Sequence, residues 1–168
     1  MVKIEDLLRI NLLKDMPYPL LQLIADKANV SIFGADTRLI TMDEKIDTFY
    51  MLIMGQVAVK KALTPEIDII LDYIQSGASF GASAFIKGAK ASYTAICQEP
   101  CELITISGEK MFQLFKKNDE LAYYIMMGVA RQYKSNMDTR AQMILKTLGE
   151  TRNLKDDIND IELLTVII

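Results

Sequence analysis

The sequence contains no histidine and no tryptophan, and only two of its 168 residues are cysteine. Without histidine the chain lacks the most common general base and one of the main zinc ligands. It also cannot form a nucleophile pair of serine or cysteine with histidine. We therefore expect no catalytic residues, no metal site and no enzyme activity.

Long apolar runs are also missing, because charged residues interrupt each apolar stretch well before the roughly 20 residues that span a bilayer. The N-terminal ten residues carry acidic side chains within their apolar pattern and show no small-residue cleavage site, unlike a signal peptide. The net charge of −3 provides no basic surplus for nucleic acid. These features predict a cytoplasmic protein that contacts neither a membrane nor DNA.

The two cysteines, Cys97 and Cys101, lie four residues apart in a segment with the pattern of a single strand. An extended chain would hold their thiols too far apart for a disulfide. We therefore expect two buried free thiols.

The apolar periodicity divides the chain into three parts. A helix is predicted over residues 3–14 and a second over residues 20–28, and from Val30 the period changes to two, in short runs broken by glycine, aspartate or proline. About eight short strands without long helices between them predict an antiparallel barrel or sandwich. Two helices follow, with N-caps at Ser107 and Asn118.

The second of these helices carries an apolar residue at every fourth position: Leu121, Ile125, Val129, Tyr133, Met137, Ala141 and Leu145. A stripe on a helix that follows a complete barrel favours self-association, so we expect a homodimer through residues 119–148. The alternative is that the stripe packs on its own barrel. The predicted domains are a β-roll with N-terminal helices at 1–117, the long helix at 118–149 and an acidic tail at 150–168.

Three motifs occur in a characteristic order: the apolar run at residues 50–59, the turn Gly77-x-x-Phe80-Gly81, and the segment from Pro100 to Ile106. Together they resemble the cyclic nucleotide-binding domain of the catabolite activator (CRP/FNR-like) superfamily over residues 5–140. The resemblance implies an eight-stranded antiparallel jelly roll with flanking helices, and a regulatory role in signalling. It also implies that a nucleotide phosphate lies at the N-terminus of a short helix after the Phe-Gly turn, where backbone N–H groups are free.

The resemblance further implies a glutamate after the turn glycine, for the ribose hydroxyl, and an arginine beyond the short helix, for the phosphate. This chain has Ala82 at the first place and Ala91, or by a shift of one residue Ser92, at the second. Losing both charged contacts removes roughly 3–6 kcal/mol. We therefore expect no tight binding of cyclic AMP or cyclic GMP in the family's usual manner, and no other cofactor.

Lys90 is a possible compensating charge. It adjoins Ala91, however, and neighbours in an extended segment face opposite sides. The alanines either leave an altered apolar pocket or allow the turn to collapse. Gln132 and Asn136 lie on the long helix, from which family members reach the ligand, although they are also suited to fixing a dimer register. The predicted pocket, vestigial or altered, comprises Phe80, Gly81, Ala82, Ser83, Ala84, Ala91 and Ser92.

Two functions remain open from the sequence. The first is a non-catalytic regulatory or scaffold protein that acts through an unidentified protein partner. The second is a small-molecule sensor that still binds a cyclic nucleotide or a related ligand in the β-roll. In the family's transcription factors a winged helix-turn-helix follows the long helix, whereas 19 residues follow Gly149 here, so direct DNA binding is not expected.

Overall fold

The computed structural model describes residues 2–64 and 67–150, with only the backbone of residues 63 and 150. The chain forms two compact units, and the boundary between them lies between Val129 and Ala130. The domain boundaries expected from the sequence stay predictions. Within the described residues, no helix combines the length and apolar character that crossing a membrane requires.

The N-terminal segment folds as two short helices where the sequence predicts one. Helix α1 spans Ile4–Leu8, and a 3-10 turn follows at Asn11–Leu13. The helix is interrupted because the Asn11 N–H donates to the carbonyl of Gly77 (2.8 Å), so a tertiary hydrogen bond replaces a helical one. The expected second helix is present as α2 at Tyr18–Ala25.

Eight strands form two four-stranded sheets in which every pairing is antiparallel. The first sheet has the order β1-β8-β3-β6 and the second the order β2-β7-β4-β5. This arrangement confirms the predicted jelly roll with flanking helices. The strands are β1 Asn29–Phe33, β2 Arg38–Ile40, β3 Thr48–Met54, β4 Val57–Thr64, β5 Ile67–Ile74, β6 Ser79–Phe80, β7 Thr94–Cys97 and β8 Cys101–Ser107.

Strand β3 separates two apolar cores because its side chains alternate between the faces of the sheet. Phe49 and Met51 pack with the helices, whereas Tyr50 and Leu52 point between the sheets. We call the first of these cores, which includes Phe49 and Met51, the helical core, and the second the roll interior. Its buried members are Ile40, Ile46, Leu52, Val57, Phe80, Ala91, Ala95, Cys97, Cys101 and Leu103.

The prediction that Cys97 and Cys101 share one strand is wrong. Cys97 ends β7 and Cys101 begins β8, so the chain passes from one sheet to the other between them. Both thiols are buried and free, which confirms that part of the expectation. Burial raises the pKa of Cys97 to about 12, and contact with the neighbouring Cys101 thiol adds to the shift.

Two helices follow the roll, and both predicted N-caps are present. Helix α3 spans Gly108–Lys117, and its Lys110 N–H donates to the hydroxyl oxygen of Ser107 (3.3 Å). Helix α4 spans Asp119–Glu150, and its Leu121 N–H donates to the side-chain oxygen of Asn118 (2.9 Å).

The apolar stripe of α4 has two environments. Leu121 and Ile125 are fully buried in the helical core of the first unit, and Val129 packs against that core. The helix approaches the N-terminal segment closely, since a Cβ added at Gly128 would lie 2.7 Å from the Leu12 carbonyl oxygen. The first turns of the stripe therefore pack on their own domain, as the alternative expectation proposed. In the second unit Tyr133, Met137 and Leu145 are each more than half exposed.

Candidate functional site

The turn after β6 has a geometry that only glycine can adopt without strain. Gly81 has φ 82° and ψ 19°, in the left-handed region. A Cβ at this position would also lie 2.7 Å from the carbonyl oxygen of Thr48. Phe80, one residue earlier, stacks on Tyr50 in the roll interior with ring centroids 5.0 Å apart. The turn is therefore held by tight packing at Phe80 and at Gly81.

A 3-10 helix of four residues, Ala82–Phe85, begins at this turn. We call it the cassette helix, and residues 81–91 the cassette. Ala82, at the place of the family's glutamate, packs against the helical core, whereas Ala84 packs against the roll interior. Ser83 is half-buried between them. The cassette helix therefore lies across the boundary between the two cores.

The two residues that the sequence left open for the arginine place, Ala91 and Ser92, have different environments. Ala91 is only 4% exposed and belongs to the roll interior, whereas Ser92 is exposed. Hydrogen bonds hold the Ala91 backbone: its N–H donates to the Glu44 carbonyl (2.9 Å), and its own carbonyl accepts from the Asp43 N–H (2.8 Å). A methyl group thus occupies the inward-facing position.

Lys90 faces outwards, as its place beside Ala91 predicts. It is exposed and lies directly opposite Lys45 in an isolated antiparallel bridge. Gln132 and Asn136 lie on α4 beyond Val129, in the second unit, so their contribution to a site stays a prediction. The predicted pocket residues therefore have different environments, and their role as a pocket stays a prediction, while the Lys90 side chain lies on the outer surface.

One cation near the roll interior, Arg38, was not expected from the sequence. It lines a cavity of about 200 Å³ beside Tyr50, together with the β2–β3 connection. The Tyr50 hydroxyl donates to the Leu39 carbonyl (3.0 Å), and burial raises the pKa of this tyrosine. The sequence pattern did not single out Arg38, because its strand is short and β2 is irregular where it pairs with β7.

A larger cavity, of about 550 Å³, lies between the cassette helix, the start of α3 and the segment before β3. We call it the outer cavity. Its lining residues are Lys45, Ile46, Asp47, Thr48, Ala84, Phe85, Ile86, Lys87, Gly88, Ser107, Gly108, Glu109 and Phe112. Across the part of the chain that the structure describes, no three cysteine or acidic side chains lie together as a metal site would require.

Comparison with known proteins agrees with this architecture. The sequence profile of the cyclic nucleotide-binding domain matches residues 31–118. The cAMP-activated global transcriptional regulator CRP of Pasteurella multocida (strain Pm70) is 30% identical over 118 residues, which are 70% of this chain and 56% of that protein. The chain spans about half the length of the curated relatives it matches.

Solved structures with the same fold include a cyclic nucleotide-binding domain from Methylobacillus flagellatus KT. It has 17% sequence identity and a TM-score of 0.75, covering 86% of this chain and 81% of that one. The catabolite activator protein of Thermus thermophilus has 16% identity and a TM-score of 0.67, covering 85% of this chain and 66% of that one. At such identities these structures support the fold alone.

Proposed function

Because the chain belongs to the cyclic nucleotide-binding domain family, we propose that it is a non-catalytic regulatory module whose cassette no longer binds a cyclic nucleotide in the usual manner. The observation that supports this most strongly is the burial among apolar side chains of Ala91, one of the two residues at the place where the resemblance implies an arginine. The curated relatives it matches are regulators. Its own regulatory output would then depend on protein contacts.

The electrostatics of the roll interior support this proposal. A phosphate brought among apolar residues needs a compensating charge, because burying an unpaired charge is costly. Neither Ala82 nor Ala91 can supply that charge, and Lys90 points outwards. The cassette helix offers its free N–H groups, but it has only four residues. The missing pair of charged contacts corresponds to roughly 3–6 kcal/mol of binding free energy.

We further propose that the second copy of a homodimer covers the exposed part of α4. Tyr133, Met137 and Leu145 continue the stripe beyond its buried turns. Large apolar side chains at helical spacing are typical of a helix that pairs with another helix.

Calorimetric titration with cyclic AMP and cyclic GMP tests the central proposal. We expect no binding tighter than about 10 µM to the wild-type chain, because the two charged contacts are absent. The double variant Ala82→Glu, Ala91→Arg restores these groups and should gain affinity by about 10²-fold or more. Lys90→Gln is the matched control and should change nothing.

Tight binding by the wild-type chain would contradict the proposal, especially if Lys90→Gln abolished it. The competing function is a sensor that still binds a cyclic nucleotide. Arg38 favours it, because this cation lines a cavity beside the stacked Tyr50. Nucleotide binding that Arg38→Gln removes and Lys90→Gln leaves intact would establish the sensor instead.

A further inference from the structure

The outer cavity has the size and the lining of a ligand site, and its lining includes neither Ala82 nor Ala91. Its volume of about 550 Å³ falls within the range of roughly 300–1,000 Å³ for small-molecule pockets. Two large apolar side chains stand exposed at its edge, Ile86 and Phe112. Phe85 contributes an aromatic wall, held in place by contacts with the rings of Phe49 and Phe115 at 4.9 and 5.6 Å.

Two acidic and two basic side chains line the outer cavity. Asp47 and Glu109 lie together because the N–H of Gly108, the residue before Glu109, donates to the Asp47 carbonyl (2.8 Å). Lys45 and Lys87 are the basic pair, and the turn that contains Lys87 is joined to the segment that contains Lys45 where the Ile46 N–H donates to the Ala89 carbonyl (3.2 Å). We call the acidic pair and the basic pair the two ends of the cavity. A third cation, Lys90, lies opposite Lys45 in the isolated bridge. Like charges in directly opposite positions repel one another, so an anion placed at this end would relieve that repulsion.

The spacing of the two ends follows from the backbone before β3. Lys45 and Asp47 are two residues apart, and side chains at this spacing in an extended segment point to the same side, roughly 7 Å apart. Ile46 between them points the other way, into the roll interior. Lys45 and Lys87 have no hydrogen-bond or ion-pair partner among the residues that the structure describes, and the Asp47 carboxylate accepts only from the Thr48 hydroxyl (3.1 Å).

We propose that the outer cavity binds a zwitterionic ligand with an apolar body, of the size of an apolar peptide of two or three residues. The ammonium group of the ligand binds Asp47 and Glu109, and its carboxylate binds Lys45 and Lys87. The apolar side chains of the ligand pack on Ile86 and Phe112. A singly charged amphiphile would leave one end of the cavity unpaired, and a purely apolar ligand would leave both ends unpaired.

This inference does not depend on the proposed function, since the outer cavity contains neither Ala82 nor Ala91. Any occupant would nevertheless contact Ala84 and Phe85 of the cassette helix. Titration with a peptide and titration with a cyclic nucleotide are separate readouts, so each proposal can fail without the other.

Calorimetry with trileucine, N-acetyltrileucine and trileucine amide tests the assignment. We expect saturable binding of the free peptide, and a loss of about five- to tenfold when either end of the peptide is neutralised. Lys87→Gln should weaken the free peptide about five- to tenfold and leave the amide unaffected. Asp47→Asn should weaken the free peptide similarly and leave the N-acetylated peptide unaffected.

The matched control is Lys116→Gln. The Lys116 ammonium lies 4.9 Å above the Phe112 ring, but this residue does not line the cavity, so peptide affinity should not change. Circular dichroism of each variant verifies folding, which these exposed substitutions should preserve. Absence of saturable binding at millimolar peptide, equal binding of the doubly capped peptide, or tighter binding of adenosine monophosphate with the same lysine dependence would each overturn the proposal.

Discussion

At the scale of single residues, the cassette has one position where the backbone requires glycine, Gly81. It also has two positions, Ala82 and Ala91, where the resemblance implies charged side chains and this chain has alanine. The family resemblance identified Gly81 as the turn glycine, and its left-handed backbone gives the physical reason for glycine there. The inward-facing residue of the pair Ala91 and Ser92 was not predictable. That choice depends on hydrogen bonds to residues 43 and 44, which are distant in the sequence.

The substitution Gly81→Ala should destabilise the fold by about 2–4 kcal/mol, because a Cβ at this position combines backbone strain with a clash against the Thr48 carbonyl. Gly88→Ala is the matched control. Gly88 also has a positive φ, of 76°, but a Cβ there would meet nothing within 4 Å. Its cost should be about 1 kcal/mol, from strain alone. Urea unfolding of both variants measures the difference, and equal costs would contradict the steric explanation.

At the scale of secondary-structure elements, the sequence located most boundaries, and the errors occurred where tertiary contacts override local pattern. The helix predicted over residues 3–14 divides because the Asn11 N–H bonds to Gly77. The strand predicted through Cys97 and Cys101 divides because the chain changes sheets between them. In the N-terminal segment the apolar pattern continues across the break, so periodicity alone could not show it. Between the cysteines, Gln98, Glu99 and Pro100 interrupt the apolar pattern, and this interruption was the available signal.

Helix α4 likewise has one periodic stripe in the sequence and two environments in the structure. Leu121 and Ile125 are buried in the first unit, whereas Tyr133 and Met137 are exposed in the second. Every fourth residue is apolar in both the buried and the exposed turns, so the sequence pattern does not show which turns contact another subunit. The structure therefore moves the expected self-association surface towards the C-terminal half of the helix.

If that half of α4 pairs with a second copy, Met137→Lys should weaken self-association by about a hundredfold or more, because it buries an unpaired charge in each subunit. Ser135→Lys is the control, since it adds the same charge about 200° around the helix. Sedimentation velocity over a range of concentrations measures both variants. A wild-type chain that remains monomeric at tens of micromolar, or equal effects of the two substitutions, would exclude this surface.

At the scale of the whole molecule, stability should fall at alkaline pH. Burial raises the pKa of Tyr50 above its ordinary value of 10.0, and that of Cys97 from 9.0 to about 12. Both groups are neutral when protonated, so the unfolded chain releases these protons at lower pH than the folded chain does. Their contribution is full below about pH 9 and is lost as the pH rises towards 12.

Urea midpoints at about pH 8 and about pH 10.5 measure this alkaline loss. The variant Cys97→Ala should show a smaller decrease than the wild-type chain, because one of the two titrating groups is absent. The pH 8 midpoint of each protein serves as its own reference, which removes the cost of the substitution itself. An identical decrease in both proteins would show that Cys97 does not contribute.

The sequence by itself determined the fold class, the caps of α3 and α4, the position of the cassette and the absence of its two charged residues. These features depend on local pattern, on capping chemistry and on motifs that are contiguous in the chain. Only the tertiary structure decided that Ala91 faces inwards, that Arg38 and Tyr50 line one cavity, and that acidic and basic residues from separate segments line the outer cavity. Each of these depends on segments that are far apart in sequence and meet only when the two sheets and the helices pack together.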